Sequence, residues 1–153
     1  MSGPGRPGMP APLRVGLIGG GRIGRMHAEL LATAISSTAV LSAVADAMPE
    51  VAEELGRAYN VPAVETDRLI GDAAIDAVAI CSPTNTHVRY IIEAAEAGKS
   101  IFCEKPVSLD LAEVDRALEV VSREDARLMV GFNRRFDPSH ACVREAVANG
   151  SVG

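Results

Sequence analysis

Gly19, Gly21 and Gly24 stand in the pattern G-x-G-x-x-G, directly after the apolar run Leu13–Ile18. Each position has a physical task in dinucleotide binding. The first glycine permits a tight turn, the second lets the backbone approach a diphosphate, and the third lets a helix pack closely on a sheet. Arg22, Ile23 and Gly24 then offer the first backbone N–H groups of a helix, whose positive dipole end attracts phosphate. Without a strand before it and a helix after it, the same spacing is only a Gly-rich turn. Asp46 ends the next apolar run. There an acidic side chain can accept hydrogen bonds from the adenosine ribose and repel a 2′-phosphate. No arginine follows in Asp46-Ala47-Met48-Pro49, so NAD is expected over NADP. A turn-forming aspartate is the alternative.

Two further segments carry polar groups. Cys81-Ser82-Pro83-Thr84-Asn85-Thr86-His87 holds hydroxyls, an amide and an imidazole just before a helical pattern. Ser82, Thr84, Asn85 and His87 there suit ribose and nicotinamide contacts; Thr84, Asn85 or Thr86 could equally cap the helix. Glu104-Lys105-Pro106 follows a short apolar run. A Lys105 ammonium at a strand end could hydrogen-bond a substrate hydroxyl, favour its alkoxide and relay its proton while hydride leaves carbon. The alternative is a surface Lys–Glu pair. Lys99 and Lys105 are the only lysines, so each is expected to be required where it stands. His27 and His140 read as helix residues, the first in packing and the second at a surface.

The elements that must position these residues follow from apolar periodicity. Strands are expected at Leu13–Ile18, Ala39–Ala45, weakly at Ala63–Glu65, then Asp76–Cys81, Ser100–Cys103 and Arg127–Phe132. Helices are expected from Arg22 to about Ser36, Pro49–Asn60, a turn near Asp67–Gly71, and Thr86–Ala97 with Gly98 as its stop. A long helix should follow a capping box at Asp110 and Glu113. The last runs from Pro138 to Ala148. Strict alternation predicts an α/β fold of the Rossmann type, a doubly wound, six-stranded parallel sheet with helices on both faces.

Composition bounds the rest. The 153 residues suit one domain, with 48% hydrophobic and 23% charged residues, ordinary for a globular chain. A net charge of −5 argues against a nucleic-acid partner. No apolar run approaches the ~18 residues of a membrane span. Residues 1–12, rich in Pro and Gly, read as a flexible tail, and residues 13–153 as one dinucleotide-binding domain. The N-terminus has no apolar signal-peptide core, so a cytoplasmic protein is expected. Cys81, Cys103 and Cys142 lack C-x-x-C spacing; no metal site is expected, and the thiols read as small buried apolar groups.

Taken together, Gly19-x-Gly21-x-x-Gly24, Asp46, Ser82-Pro83-Thr84-Asn85-Thr86-His87, Glu104-Lys105-Pro106 and Gly131-Phe132-Asn133-Arg134-Arg135-Phe136-Asp137 resemble the glucose–fructose oxidoreductase and inositol dehydrogenase family. The last segment is most similar to its inositol 2-dehydrogenase branch. The resemblance covers nearly the whole chain after residue 12. It implies that Gly19, Gly21 and Gly24 hold the diphosphate of NAD and Asp46 the ribose. It further implies that Ser82, Thr84, Asn85 and His87 line the nicotinamide side. Glu104 and Lys105 match a Glu-Lys-Pro motif whose lysine takes part in substrate binding and catalysis. Arg134 and Arg135 would border the cleft or remain surface charge.

Family members carry a second α/β domain whose Asp and His complete the catalytic set, and no residue here matches that pair. The resemblance therefore implies the NAD-binding part of an enzyme that oxidises a secondary hydroxyl of a cyclic polyol or sugar, with little or no turnover by this chain alone. The alternative is a non-catalytic dinucleotide sensor or interaction module. Surface normally covered by the second domain is expected to drive self-association.

Overall fold

The computed structural model describes residues 11–152. Most of the expected N-terminal tail, residues 1–10, lies outside that range. Five parallel strands form one sheet: β1 (Leu13–Ile18), β2 (Ala39–Ala45), β3 (Ala77–Ile80), β4 (Ser100–Cys103) and β5 (Leu128–Val130). Their spatial order is β2-β1-β3-β4-β5. The chain runs outward from β1 to β2, then returns to start β3 on the opposite side. The carboxyl ends of β1 and β3 thus flank the point where strand order reverses, the place where open α/β sheets bind ligands.

The expected sixth strand is not formed. Its segment makes one parallel bridge, Ala63 to Val44. Two backbone bonds hold it, Val44 N–H to the Pro62 carbonyl at 3.0 Å and Val64 N–H to the Val44 carbonyl at 2.9 Å. Pro62 has no N–H to extend the ladder. Glu65 already serves as the N-cap of the next helix, so the extended run ends after one bridge.

Helices lie on both faces, though on one of them the β3–β5 part is left as an open apolar groove lined by Ala79, Phe102 and Met129. α1 (Arg22–Ala32) and α2 (Pro49–Tyr59) lie on one side. Ala28, Leu31, Ala52 and Leu55 there pack with Val15, Leu17, Leu41 and Val44. α3 (Thr66–Gly71), α4 (Thr84–Glu96) and α5 (Leu111–Arg123) lie on the other. Leu69, Ile91, Ala95, Ala117 and Val120 meet Ile18, Val78, Ile80 and Ile101. Both faces of the sheet are thus apolar, which explains why the strands read as continuous runs rather than alternating ones. Gly16 keeps room for Leu69, whose side chain would collide with any Cβ there.

α1 ends four residues before the expected Ser36. Thr33, Ser36 and Thr38 hydroxyls bond the carbonyls of Glu29, Thr33 and Ile35; such local bonds compete with helix continuation. The capping box at α5 is half made. Asp110 accepts from Ala112 N–H at 2.9 Å, but its own N–H donates to Ser108 Oγ instead of Glu113. After β5 come a 3₁₀ turn (Asn133–Phe136) and α6 (Pro138–Ala148). α6 buries no residue, and Val143 and Val147 stand exposed. No described helix is long and apolar enough to cross a membrane.

Two polar anchors set the amino ends of the strands, away from the ligand side. The Arg14 side chain donates to both oxygens of Asp76 (3.0 and 2.8 Å), which holds the Asp76 carboxyl well below the usual carboxylate range. Lys99 is buried and donates from Nζ to the carbonyls of Asp72 (2.6 Å) and Ile75 (2.8 Å). One of the two lysines is thus a structural pin.

Candidate functional site

The glycine loop is built by backbone requirements. Gly19 sits at φ +100°, a region that disfavours any residue with a Cβ. A Cβ there would also fall 2.5 Å from Ser82 N. At Gly24 a Cβ would overlap the carbonyl oxygen of Gly19, so this glycine lets α1 close on the turn. Gly21 is different: a Cβ would meet no protein atom within 4 Å. The fold does not need glycine at this position, and the space above it is free for a ligand. Gly21 is also the N-cap of α1, with no side-chain cap and no acidic residue in the first turn. No side chain caps the N–H groups at this helix end, an arrangement suited to receiving a diphosphate.

Asp46 lies at the carboxyl end of β2, beside this loop. Its Oδ2 accepts from Gly20 N–H at 2.6 Å and its Oδ1 from Met48 N–H at 2.9 Å. It therefore shapes the loop as well as offering acceptor capacity to ribose hydroxyls. Each carboxylate oxygen has more than one lone-pair direction.

A cleft of ≈ 710 Å³ opens between the loop and the ends of β3, β4 and β5. Arg22, Ile23, Ser82, Thr84, Glu104 and Lys105 all line it. With His87, the structure thus brings seven of the twelve sequence-derived residues to one cleft from three separate segments; Gly19, Gly21, Gly24 and Asp46 lie outside its lining. Lys105 is exposed, and no carboxylate pairs with its ammonium among the described residues. Asn85 does not line the cleft; its side chain is exposed on the first turn of α4. The Ser82 and Thr86 hydroxyls lie 2.7 Å apart, and Thr86 Oγ1 also donates to the Pro83 carbonyl at 2.7 Å. The helix-capping alternative is not realised: Pro83 is the N-cap of α4, and no side chain accepts from its first N–H groups.

His87 also lines the cleft, but it is held there by protein groups. Its side chain is buried, with Nδ1 2.8 Å from the Pro106 carbonyl and Nε2 2.8 Å from the Ser82 carbonyl. Both ring nitrogens face protein carbonyls, so His87 braces the two loops of the cleft and presents neither nitrogen to a ligand. Arg134 and Arg135 do not line the cleft, whereas Asn133, Phe136, Met129 and Phe102 do. Arg134 instead donates to His140 Nε2 at 3.0 Å.

Sequence reasoning missed His27. It projects from α1 into the cleft, where its Nε2 lies 3.0 Å from Glu104 Oε1. Its only sequence signal is its place one turn beyond Gly24, on the face that follows the glycine loop. The cysteines divide. Cys103 is buried, Cys81 half-buried and Cys142 exposed, so the expectation of three buried thiols holds for one. Burial, with the Glu104 charge nearby, pushes the Cys81 and Cys103 thiols up to about 12. Neither is a thiolate nucleophile near neutral pH, and no metal-ligating cluster exists among the described residues.

Residues 13–132 match the family described as "Oxidoreductase family, NAD-binding Rossmann fold". The chain is 50% identical over 141 residues to an inositol 2-dehydrogenase of Rhizobium meliloti, covering 92% of this chain and 42% of that protein. It is 46% identical over 147 residues to a myo-inositol 2-dehydrogenase of Thermotoga maritima, with the same two coverages. Among solved structures it is similar to scyllo-inositol dehydrogenase from Lactobacillus casei with bound NAD(H) and scyllo-inositol. The TM-score there is 0.86 and the identity 32%, over 93% of this chain and 42% of that one. The chain thus spans less than half the length of the relatives it matches.

Proposed function

The chain belongs to the oxidoreductase family that carries the NAD-binding Rossmann fold, and from that premise we propose that it is the NAD-binding part of a dehydrogenase acting on a secondary hydroxyl of a cyclic polyol, with myo-inositol as the leading substrate. The observation that carries the cofactor site is Gly21. An added Cβ there would meet open space at a helix terminus with no side-chain cap, so the protein itself demands no glycine at this position. The identities to inositol 2-dehydrogenases support the substrate class.

The residues divide the work. Gly19, Gly21 and Gly24 shape the diphosphate cradle, and the backbone N–H groups of Arg22, Ile23 and Gly24 receive its charge. Asp46 accepts from the adenosine ribose and disfavours a 2′-phosphate. Ser82, Thr84 and Glu104 border the nicotinamide end. NAD held by these residues would supply the hydride acceptor. Lys105 hydrogen-bonds the hydroxyl being oxidised and stabilises developing negative charge on its oxygen.

Titration calorimetry with NAD and NADP tests the cofactor half. One NAD per chain with weaker NADP is expected, and no NAD heat would overturn the reading. For the substrate half, the chain is fused to the remaining length of the Rhizobium meliloti relative. NAD-dependent oxidation of myo-inositol by the fusion is expected, with a rate near background for the chain alone. A fusion that binds NAD but oxidises no inositol would refute the assignment of this half to polyol chemistry. Self-association is also proposed. Met129, Phe132, Val143 and Val147 expose apolar surface in the last segment, and such patches associate. A purely monomeric sedimentation profile at high concentration would contradict it.

A further inference from the structure

His27, Phe102, Glu104 and Gly131 form a cluster beside Lys105, and the cofactor-binding scheme uses only Glu104 of the four. Glu104 is pinned at its backbone, where its N–H donates to the Ile80 carbonyl at 2.9 Å. Its carboxylate is folded back and held at both oxygens. Oε1 lies 3.0 Å from His27 Nε2, and Oε2 accepts from Lys105 N–H at 3.2 Å. The His27 ring meets Phe102 edge to face, with centroids 5.0 Å apart at 63°. Gly131 leaves the space this requires: a Cβ there would stand 3.1 Å from Phe102 Cζ and 3.2 Å from Glu104 Oε1.

Glu104 and Lys105 are adjacent and oppositely charged. A freely rotating Glu104 carboxylate could capture the Lys105 ammonium and draw it out of the cleft. We propose that His27 is a positioning residue for Lys105, acting through Glu104: its Nε2–H holds the carboxylate against the Lys105 backbone, and the ammonium is left free to meet substrate. The inference rests on the reading of Lys105 as the group that touches the reacting hydroxyl. It also gives Gly131 a task, since a larger residue would displace the held carboxylate.

The presence of only two lysines makes the test direct. A chain labelled with ¹⁵N-lysine gives two backbone amide signals, Lys99 and Lys105, and the Lys105 signal reports its bond to Glu104. The side chain of Gln places a donor where His Nε2 stands, whereas Asn reaches only as far as Nδ1. His27→Gln is expected to keep the Lys105 signal near its wild-type position. His27→Asn and His27→Ala are expected to lose that position, with the Lys99 signal unmoved in all three. If His27→Ala fails to fold it displaces Lys99 too, and the Gln–Asn pair then decides alone. A Lys105 signal that stays in place in His27→Asn, or that moves as far in His27→Gln, would overturn the proposal. The readout needs no cofactor. A chain that binds no NAD would sink the cofactor reading, whereas unmoved Lys105 signals in an NAD-binding chain would sink this inference alone.

Discussion

The two ends of the binding cleft are made in different ways. At the end proposed for the diphosphate, the groups on offer are backbone N–H donors, and the loop's geometry is enforced by collisions any side chain at Gly19 or Gly24 would cause. At the end proposed for the nicotinamide, the groups on offer are side chains: Lys105 is exposed beside the His27–Glu104 contact, in a loop whose Pro106 carbonyl meets His87. The first end is completed within residues 19–46. The second gathers residues from α1, the β3–α4 loop, the end of β4 and the segment after β5. A charge-binding cradle can be local and rigid, because a diphosphate asks only for correctly aimed donors. A reacting hydroxyl needs a movable proton and a specific pocket, which one layer of this fold supplies only in part.

Substitutions should separate the two ends. The largest expected effect is at the side-chain end. In the fusion with the Rhizobium meliloti relative, Lys105→Met should lower kcat by about 10²–10⁴-fold, the usual scale for losing a proton-transfer group. NAD affinity should change little, measured by calorimetry on the same protein. A comparable loss in NAD affinity would mean that Lys105 serves binding, and the contrast between the ends would break. Next comes Gly24→Ala. Forcing a Cβ onto the Gly19 carbonyl should cost about 1–3 kcal/mol of stability and abolish NAD binding, read by denaturant unfolding and titration. A stable, NAD-competent Gly24→Ala would show that the cradle is not set by backbone contact.

Asp46→Ser sharpens the comparison from the adenosine side. It removes the charge facing a 2′-phosphate and the acceptor on Gly20 N–H. The ratio of NAD to NADP affinity is expected to fall by about tenfold, equivalent to ~1.4 kcal/mol. An unchanged ratio would remove Asp46 from cofactor selection. The smallest effect lies outside both ends. Asp76 is held low by Arg14 in the folded chain. A carboxylate with a depressed folded value adds stability above its unfolded value and loses it as the pH falls through the folded one. Thermal midpoints at neutral pH and at acid pH should therefore fall more steeply for the wild type than for Asp76→Asn, with NAD binding near neutral pH alike in both. Equal slopes would mean the exposed pair adds nothing measurable.

Legibility in the sequence follows the same division. The glycine loop could be read because its demands are local: a positive φ, a close helix and a preceding strand leave their mark within six residues. The inner strands were legible for a similar reason, since burial on both faces leaves unbroken apolar runs; edge strand β5 kept its apolar run although Met129 is exposed. The sixth was misjudged because its fate depends on Pro62 and on Glu65 entering the next helix, which outweigh a short β-prone stretch. His27 was unreadable: its partner is 77 positions away, and only the packing of α1 over β4 brings them together. His87 shows the converse. Its position in a polar loop suggested ligand contact, but the spacing that puts it on the buried face of α4 turns both nitrogens to carbonyls.

Gly21→Ala tests the central claim most directly. No protein atom lies within 4 Å of the added methyl, so the fold should tolerate it while a diphosphate cannot. Titration of this variant with NAD, beside its thermal unfolding, is predicted to show an unchanged midpoint and an NAD affinity reduced at least tenfold. An alanine chain that melts with the wild type and binds NAD equally well would contradict the account.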